Sequence, residues 1–331
     1  MRRKLALWLD KVWYKEPGAG RWLIPFSSIY RTIIRFRRFL YRAGWLKRHD
    51  LPVPVIVVGN ITVGGTGKTP LIIWLAQLLK ANGFKPGIIS RGYGGEAEVW
   101  PQRVSLDSDV KRVGDEALLL ARHTGCPMAV GPERIKAAQM LLRQEHCDVI
   151  LSDDGLQHYA LGRDIEIAVV DGERLFGNGL CLPAGPLREP LDRIDGVDFV
   201  IVNGTKTEAN QFSMHLEGHS AINLVSGEVK PLEDFVERDC HAVAGIGHPG
   251  RFFKLLDKAG IACTVHIFPD HHAFQADDIV FNAEPVLMTE KDAVKCAAFA
   301  RDSHWYVPVA AAVGPSFADQ LLNLLREKKH G

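Results

Sequence analysis

The sequence predicts an α/β protein with three parts. These are a mostly parallel sheet flanked by helices, a second, smaller α/β domain, and an amphipathic helix near the N-terminus. Three observations carry this. Short β-branched runs alternate with helical periodicities, as in parallel strands joined by crossover helices. The alternation restarts after about residue 205. The first 50 residues differ in composition from all that follows, so the expected divisions are 1–50, 51–205 and 206–331.

Taken in order, Phe26, Ile29, Tyr30, Ile33, Phe36 and Leu40 recur at three- and four-residue steps, which predicts one helix over 26–42. Arg31, Arg35, Arg38 and Arg42 recur on another face. This is the pattern of a surface helix, or of a helix lying in a membrane interface with arginines reaching lipid phosphates. Pro52 and Pro54 punctuate the chain before the buried strand Val55–Val58. A glycine-rich turn and a helix, Pro70–Lys80, follow. Further strands are predicted at Gly87–Ser90, Val149–Ser152, Ile165–Val170 and Phe199–Val202, with helices at Glu116–His123 and Glu133–Glu145. In the last domain the strands are His241–Gly245, Cys263–Phe268 and Val286–Thr289, and the helices Pro249–Ala259 and Pro315–Lys328.

The net charge of +1 over 331 residues predicts no nucleic-acid partner, but its distribution is uneven. Residues 1–50 hold 13 Lys and Arg against 3 Asp and Glu, and include Trp8, Trp13, Trp22 and Trp45. A basic, aromatic arm on an acidic body predicts an anionic surface as partner. No run of 18 apolar residues could span a bilayer as a helix. Met1–Asp10 resembles a signal-peptide start, but its apolar stretch is too short for one. The six cysteines form no CxxC pair and read as reduced packing residues of a cytosolic compartment.

The segment Thr62-Val63-Gly64-Gly65-Thr66-Gly67-Lys68-Thr69 lies between a predicted strand and a predicted helix, as a phosphate-binding loop must. Backbone N–H groups in such a turn converge on phosphate oxygens, and the helix N-terminus adds positive potential. Lys68 would reach the β- and γ-phosphates of ATP, and the Thr69 hydroxyl would bind Mg²⁺. Thr62 stands where the general pattern has glycine. Asp153 and Asp154 follow a buried strand, where carboxylates hold Mg²⁺ in P-loop proteins. Asp115 and Glu116 are either a helix cap or a base and metal ligand. Arg91, Arg134 and Arg188 sit in glycine- and proline-bounded loops that suit anionic oxygens. Asp270, His271 and His272 could bind metal, form a dyad or make a turn. The chemistry predicted is that of a P-loop NTPase-type kinase.

Seven segments then occur together in order: Gly59–Thr69, Ser90–Gly94, Val113–Glu116, Asp153–His158, Gly185–Pro190, Phe268–His271 and Met288–Asp292. The set strongly resembles the tetraacyldisaccharide 4′-kinase family of lipid A biosynthesis, from about residue 5 to residue 325. The resemblance implies transfer of the γ-phosphoryl of ATP to the 4′-hydroxyl of tetraacyldisaccharide 1-phosphate, giving lipid IVA. It implies an enzyme on the cytoplasmic face of a Gram-negative inner membrane. It further implies Asp115 as base with His271 as its partner, Asp270 beside them, and Glu116, Asp153 and Asp154 around Mg²⁺. Arg91, Arg134, His158 and Arg188 would then lie near phosphates or sugar. A family generally without glycine at the first loop position also accounts for Thr62.

Two rivals are weighed against this. Membrane-associated switch ATPases often carry a lysine where Val63 stands. A kinase for a soluble acceptor would not need the arginine-rich amphipathic helix.

Overall fold

The computed structural model describes residues 8–205, 208–270, 272–281 and 284–330. Two sheets organise it. The larger has nine strands: β1 (Val55–Gly59), β2 (Pro86–Ser90), β3 (Gln102–Val104), β4 (Met128–Val130), β5 (Val149–Asp153), β6 (Ile165–Asp171), β7 (Phe199–Asn203), β8 (Gln211–Glu217) and β15 (Ala310–Val313). Their spatial order is β15-β8-β7-β6-β1-β5-β2-β4-β3. All neighbours pair in parallel except the two edge strands, β3 and β15. The smaller sheet has β9 (Ser220–Asn223), β10 (Val229–Pro231), β11 (Cys240–Ala244), β12 (Cys263–Ile267), β13 (Val286–Thr289) and β14 (His304–Val307). Its order is β10-β9-β14-β13-β11-β12.

Helix α1 (Ile24–Arg42) precedes the sheets. Helices α2 (Lys68–Ala81), α3 (Asp115–Thr124) and α4 (Arg134–Gln144) cross over within the larger unit. Helices α5 (Pro249–Lys258) and α6 (Glu290–Cys296) belong to the smaller one, and α7 (Pro315–His330) closes the chain.

The β-branched runs explain why the central strands are covered on both faces. Ile56 and Val58 point into one core with α2, α3 and α7, while Val55 and Val57 point into another with α4. Alternate side chains face opposite sides, so a strand buried on both must be apolar throughout. The predicted helices and strands fall where the sequence places them, with shifts of up to two residues at their ends. The short strands β3, β4, β8–β10, β14 and β15 were not foreseen, nor was α6.

The expected boundary at residue 205 needs correction. Strands β8 and β15 pair with each other in the larger sheet, at its β7 edge. Helix α7 also packs there: Phe317, Leu321 and Leu325 are fully buried in the larger core. Phe317 contacts Trp74, Phe199 and Phe212, with ring centroids 5.2–5.7 Å apart. The smaller unit is therefore an insertion bounded by two adjacent strands. Burial of the apolar face of α7 outweighs its position in the sequence.

Helix α1 also differs from its sequence reading. Ser27, Tyr30, Ile34, Arg38 and Tyr41 turn toward the body and are buried or half-buried. Ser27 donates to the carbonyl of Cys181 at 2.6 Å, and Tyr30 to that of Arg188 at 3.0 Å. Phe26, Ile29, Ile33 and Phe36 point away and are 58–60% exposed. The arginine row does not face outward as a whole: Arg35 pairs with Asp192 at 3.3 Å, and Arg38 and Arg42 bend toward Gly196. Residues 1–7 of the basic arm lie outside the described residues.

Candidate active site

Parallel strands end together on one edge of the larger sheet, and the P-loop and acidic residues gather there. Strand β1 runs into the loop at residues 60–67, and α2 begins at Lys68. Gly67, at the helix cap, has φ 96°, a left-handed conformation that side chains with a Cβ disfavour. Thr62 needs no such freedom. It is 5% exposed, forms an antiparallel bridge to Leu187, and its carbonyl accepts from Asn60 Nδ2 at 2.8 Å. Extended backbone here explains why threonine can replace glycine. Thr69 is the second residue of α2 and is half-buried at the same edge.

The segment 181–190 is laid along this loop. Val63 N donates to the carbonyl of Pro186 at 2.8 Å, and Arg188 N to that of Ile61 at 2.6 Å. That places the Arg188 guanidinium 2.9 Å from Asp154. Lys68 Nζ lies 3.1 Å from Asn60 Oδ1 and 3.4 Å from Asp154 Oδ1. Asp154 sits just past β5 with φ 46°, a left-handed turn that Asp tolerates better than most residues. Burial alone would raise its pKa, but Lys68 and Arg188 hold the carboxyl down at about 2.

Asp153 is the opposite case. It is 2% exposed and accepts from Ser90 Oγ at 3.0 Å. Burial, then the charges of Glu116 and Asp154, push its carboxyl up to about 7. Two adjacent carboxylates are thus tuned apart by their surroundings. Arg134 is 5% exposed; its Nη2 donates to the Asp154 carbonyl at 3.3 Å, and its buried Nε meets no protein acceptor. His158 lies close by. Burial and the cations Arg134, Arg163, Arg37 and Arg91 lower its imidazole to about 4, so it is neutral near pH 7. Arg91 is exposed, yet its charge reaches both Arg134 and His158.

A second cluster joins the two units. Asp115 and Glu116 open α3, with Gly114 at the cap position. Asp115 is 6% exposed and its Oδ1 accepts from Glu116 N at 2.9 Å, so it is the first helical residue rather than the cap. Glu116 lies 3.0 Å from Lys291 Nζ, and Asp270 lies 3.5 Å from the same atom. Burial would lower the Lys291 ammonium, but Glu116, Asp270 and Asp115 raise it well above the ordinary lysine value. His271 lies outside the described residues.

Sequence reasoning singled out neither Asn60 nor Lys291, although both lie inside quoted segments. It also missed a contact network behind the P-loop. Asn203, at the end of β7, donates through Nδ2 to the carbonyl of Thr66 at 3.0 Å. Arg251 donates to the Asn203 carbonyl at 3.0 Å and to Asp171 at 2.7 Å, and His248 lies 3.1 Å from Asp171. Burial opposes ionisation of Asp171, yet His248 and Arg251 hold it down at about 2. The end of a parallel strand was the one available signal for Asn203 and Asp171. Gly247 approaches the loop so closely that a Cβ there would stand 2.9 Å from Gly65 N.

A phosphate-binding loop, a split-pKa aspartate pair and an acidic helix start on one sheet edge define a nucleotide kinase site. The tetraacyldisaccharide-1-P 4′-kinase family model matches residues 19–326. The chain belongs to this family. Curated tetraacyldisaccharide 4′-kinases are similar along their whole length. The protein of Nitrosococcus oceani is 52% identical over 96% of this chain and 94% of its own. That of Alkalilimnicola ehrlichii is 51% identical over 95% of each. A crystal structure of LpxK from Aquifex aeolicus in complex with ATP has a TM-score of 0.78 and 31% identity, covering 93% of this chain and 99% of that one. The family is one of kinases, and the ATP-dependent enzyme class and fold read from the sequence stand.

Proposed function

We propose that this chain transfers the γ-phosphoryl group of ATP to the 4′-hydroxyl of tetraacyldisaccharide 1-phosphate, yielding lipid IVA and ADP. The observation that carries the reading is the convergence of Lys68 and Arg188 on Asp154 beside the P-loop, at 3.4 and 2.9 Å. Phosphoryl transfer passes through a loose transition state, so fixed charges around the phosphate do most of the work. In this reading Lys68 and the N–H groups of residues 62–69 hold the β- and γ-phosphates. Arg134, His158, Arg188 and Arg91 face phosphate or sugar oxygens; the orphaned Arg134 Nε suits an anionic oxygen.

Asp115 takes the proton of the attacking hydroxyl, with His271 as its partner and Asp270 nearby. The start of the helix places positive potential beside the Asp115 side chain. Lys291 holds Glu116 and Asp270 in place across the two units.

Mg²⁺ fits the residues present. Asp153, Asp154 and Glu116 crowd their charges, which is part of what raises Asp153. Among the described residues no three His, Cys, Asp or Glu side chains form a metal cage. Mg²⁺ usually takes one or two carboxylates directly and reaches others through water. Thr69, Asp153, Asp154 and Glu116 would hold it; when bound, it would neutralise charge on the phosphate oxygens.

The acceptor carries four acyl chains, so the enzyme meets it at a bilayer surface. No helix among the described residues is long and apolar enough to cross a membrane. The outward row Phe26, Ile29, Ile33 and Phe36 instead supports peripheral attachment to a membrane surface, which the use of ATP sets at the cytoplasmic face of the inner membrane in this reading.

The test is transfer of radiolabelled γ-phosphate from ATP to purified tetraacyldisaccharide 1-phosphate in detergent micelles. Labelled lipid is expected. Its absence, with ATP bound by folded protein, would overturn the acceptor assignment.

A further inference from the structure

At the edge of the larger sheet opposite the P-loop, where β1 and β6 begin, α1 and the turn Leu191–Gly196 enclose a cleft of about 240 Å³. Five arginines line it: Arg38, Arg42, Arg48, Arg163 and Arg193. Three of them aim at one point. A Cβ built on Gly196 would lie 3.2 Å from Arg38 Nη2, 3.7 Å from Arg42 Nη2 and 3.9 Å from Arg193 Nη1. The absence of a side chain at Gly196 leaves that point open.

Each carboxylate of the cleft has a partner of its own, though Asp164 and Asp198 keep their negative charge. Glu166 pairs with Arg163 at 2.9 Å and Arg193 at 2.5 Å. Asp164 accepts from Val55 N and Asp198 from Glu166 N, each at 2.8 Å. Neither Arg38 nor Arg42 has a carboxylate partner among the described residues. Yet Arg38 lies on the inward side of α1, where a side chain is held against the body rather than extended into water. Like charges brought this close repel unless an anion joins them. The Arg193 side chain is 2% exposed and is fixed by Glu166 at 2.5 Å and Glu189 at 3.4 Å, so it forms a rigid wall while Arg38 and Arg42 supply the uncompensated charge.

We infer that this cleft is a second anion site, which binds the phosphate group of a phosphate-bearing ligand independently of the nucleotide. Guanidinium forks match phosphate oxygens in pairs, and three forks around one point match a tetrahedral, doubly charged group. Two sources share that chemistry: the headgroup of an anionic lipid and free inorganic phosphate. The outward apolar row of α1 would set the cleft at headgroup depth. The inference does not rest on the kinase reading.

The test uses the full chain with the P-loop filled by a saturating non-hydrolysable ATP analogue. Inorganic phosphate and dihexanoyl phosphatidic acid, kept below its micellar concentration, are titrated calorimetrically. Wild type is expected to bind at least one probe with unit stoichiometry. Arg38→Gln/Arg42→Gln and, separately, Gly196→Leu should each weaken that binding at least tenfold, with analogue affinity and melting temperature unchanged. Tighter binding of the lipid assigns the site to a headgroup; equal binding assigns it to phosphate itself. No binding by wild type, undiminished binding by both variants, or equal binding of dihexanoyl phosphatidylcholine would overturn the inference. Loss of analogue binding by wild type would instead count against the nucleotide site.

Discussion

Asn203 grips the P-loop from behind: its side-chain amide donates to the carbonyl of Thr66 at 3.0 Å. Its own carbonyl accepts from Arg251 of the inserted unit, also at 3.0 Å. One residue thus ties the loop's shape to the position of the smaller unit. Asn203→Ala should remove a contribution of about 1 kcal/mol, weakening ATP binding roughly fivefold. Fluorescent-nucleotide titration checks this; an unchanged Kd would mean that the loop holds its shape without Asn203.

Lys68→Ala should reduce phosphoryl transfer by at least about a hundredfold, because the charge facing the γ-phosphate is lost. The fold should persist, since Arg188 still pairs with Asp154 at 2.9 Å. Product assay and circular dichroism together decide; near-normal turnover would sink the P-loop assignment.

Asp115→Asn should lower kcat by about 10²–10⁴, the usual share of a general base. ATP affinity should stay within about threefold, because the residue meets the acceptor rather than the nucleotide in the proposed mechanism. A normal kcat would reduce Asp115 to an acceptor of the Glu116 N–H bond.

Ile29→Glu or Ile33→Glu should release the protein from anionic vesicles, each removing an apolar side chain that is 58–60% exposed. Activity on detergent-dispersed acceptor should be retained. Sedimentation with vesicles tests this, and undiminished pelleting would point attachment elsewhere.

His158 makes the stability of the fold depend on pH. Its folded pKa is about 4, below the ordinary histidine value of 6.5, chiefly through burial. The unfolded chain therefore takes up a proton that the native state refuses. The contribution of His158 should be full above pH 6.5 and be lost as pH drops from 6.5 toward 4. His158→Gln should flatten that fall. His266 and His304 are lowered too and add to the fall, while the raised Asp153 and His123 oppose it, so His158 is read from the difference between wild type and variant. Urea midpoints across the range provide the measurement, and an identical slope in the variant would exclude His158 as a contributor.

The nucleotide site was legible where it is local. A strand, a glycine turn and a helix follow one another at Val55–Ala81, and each announces itself by spacing. Asp153 and Asp154 were legible for the same reason, as carboxylates at the end of an apolar run. Lys291 and Asn203 were not, because their meaning lies in Glu116 and Thr66, which the fold brings to them from 175 and 137 residues away. Met128–Val130 and Ala310–Val313 are too short to show a period and take their identity from the strands beside them. Arg38 belonged to an evident arginine row, but only the packed structure shows that it faces inward.

The return of β15 and α7 to the larger sheet has a consequence for synthesis. The P-loop emerges from the ribosome well before α7, and the core beneath α2 lacks Phe317, Leu321 and Leu325 until that helix has been made. The nucleotide-binding half waits on residues 310–330, while the insertion between β8 and β15 has all its strands beforehand. A nascent chain halted near residue 309 would expose an apolar sheet face to the quality-control machinery. Loss of the final helix would disable ATP binding from the far end of the sequence.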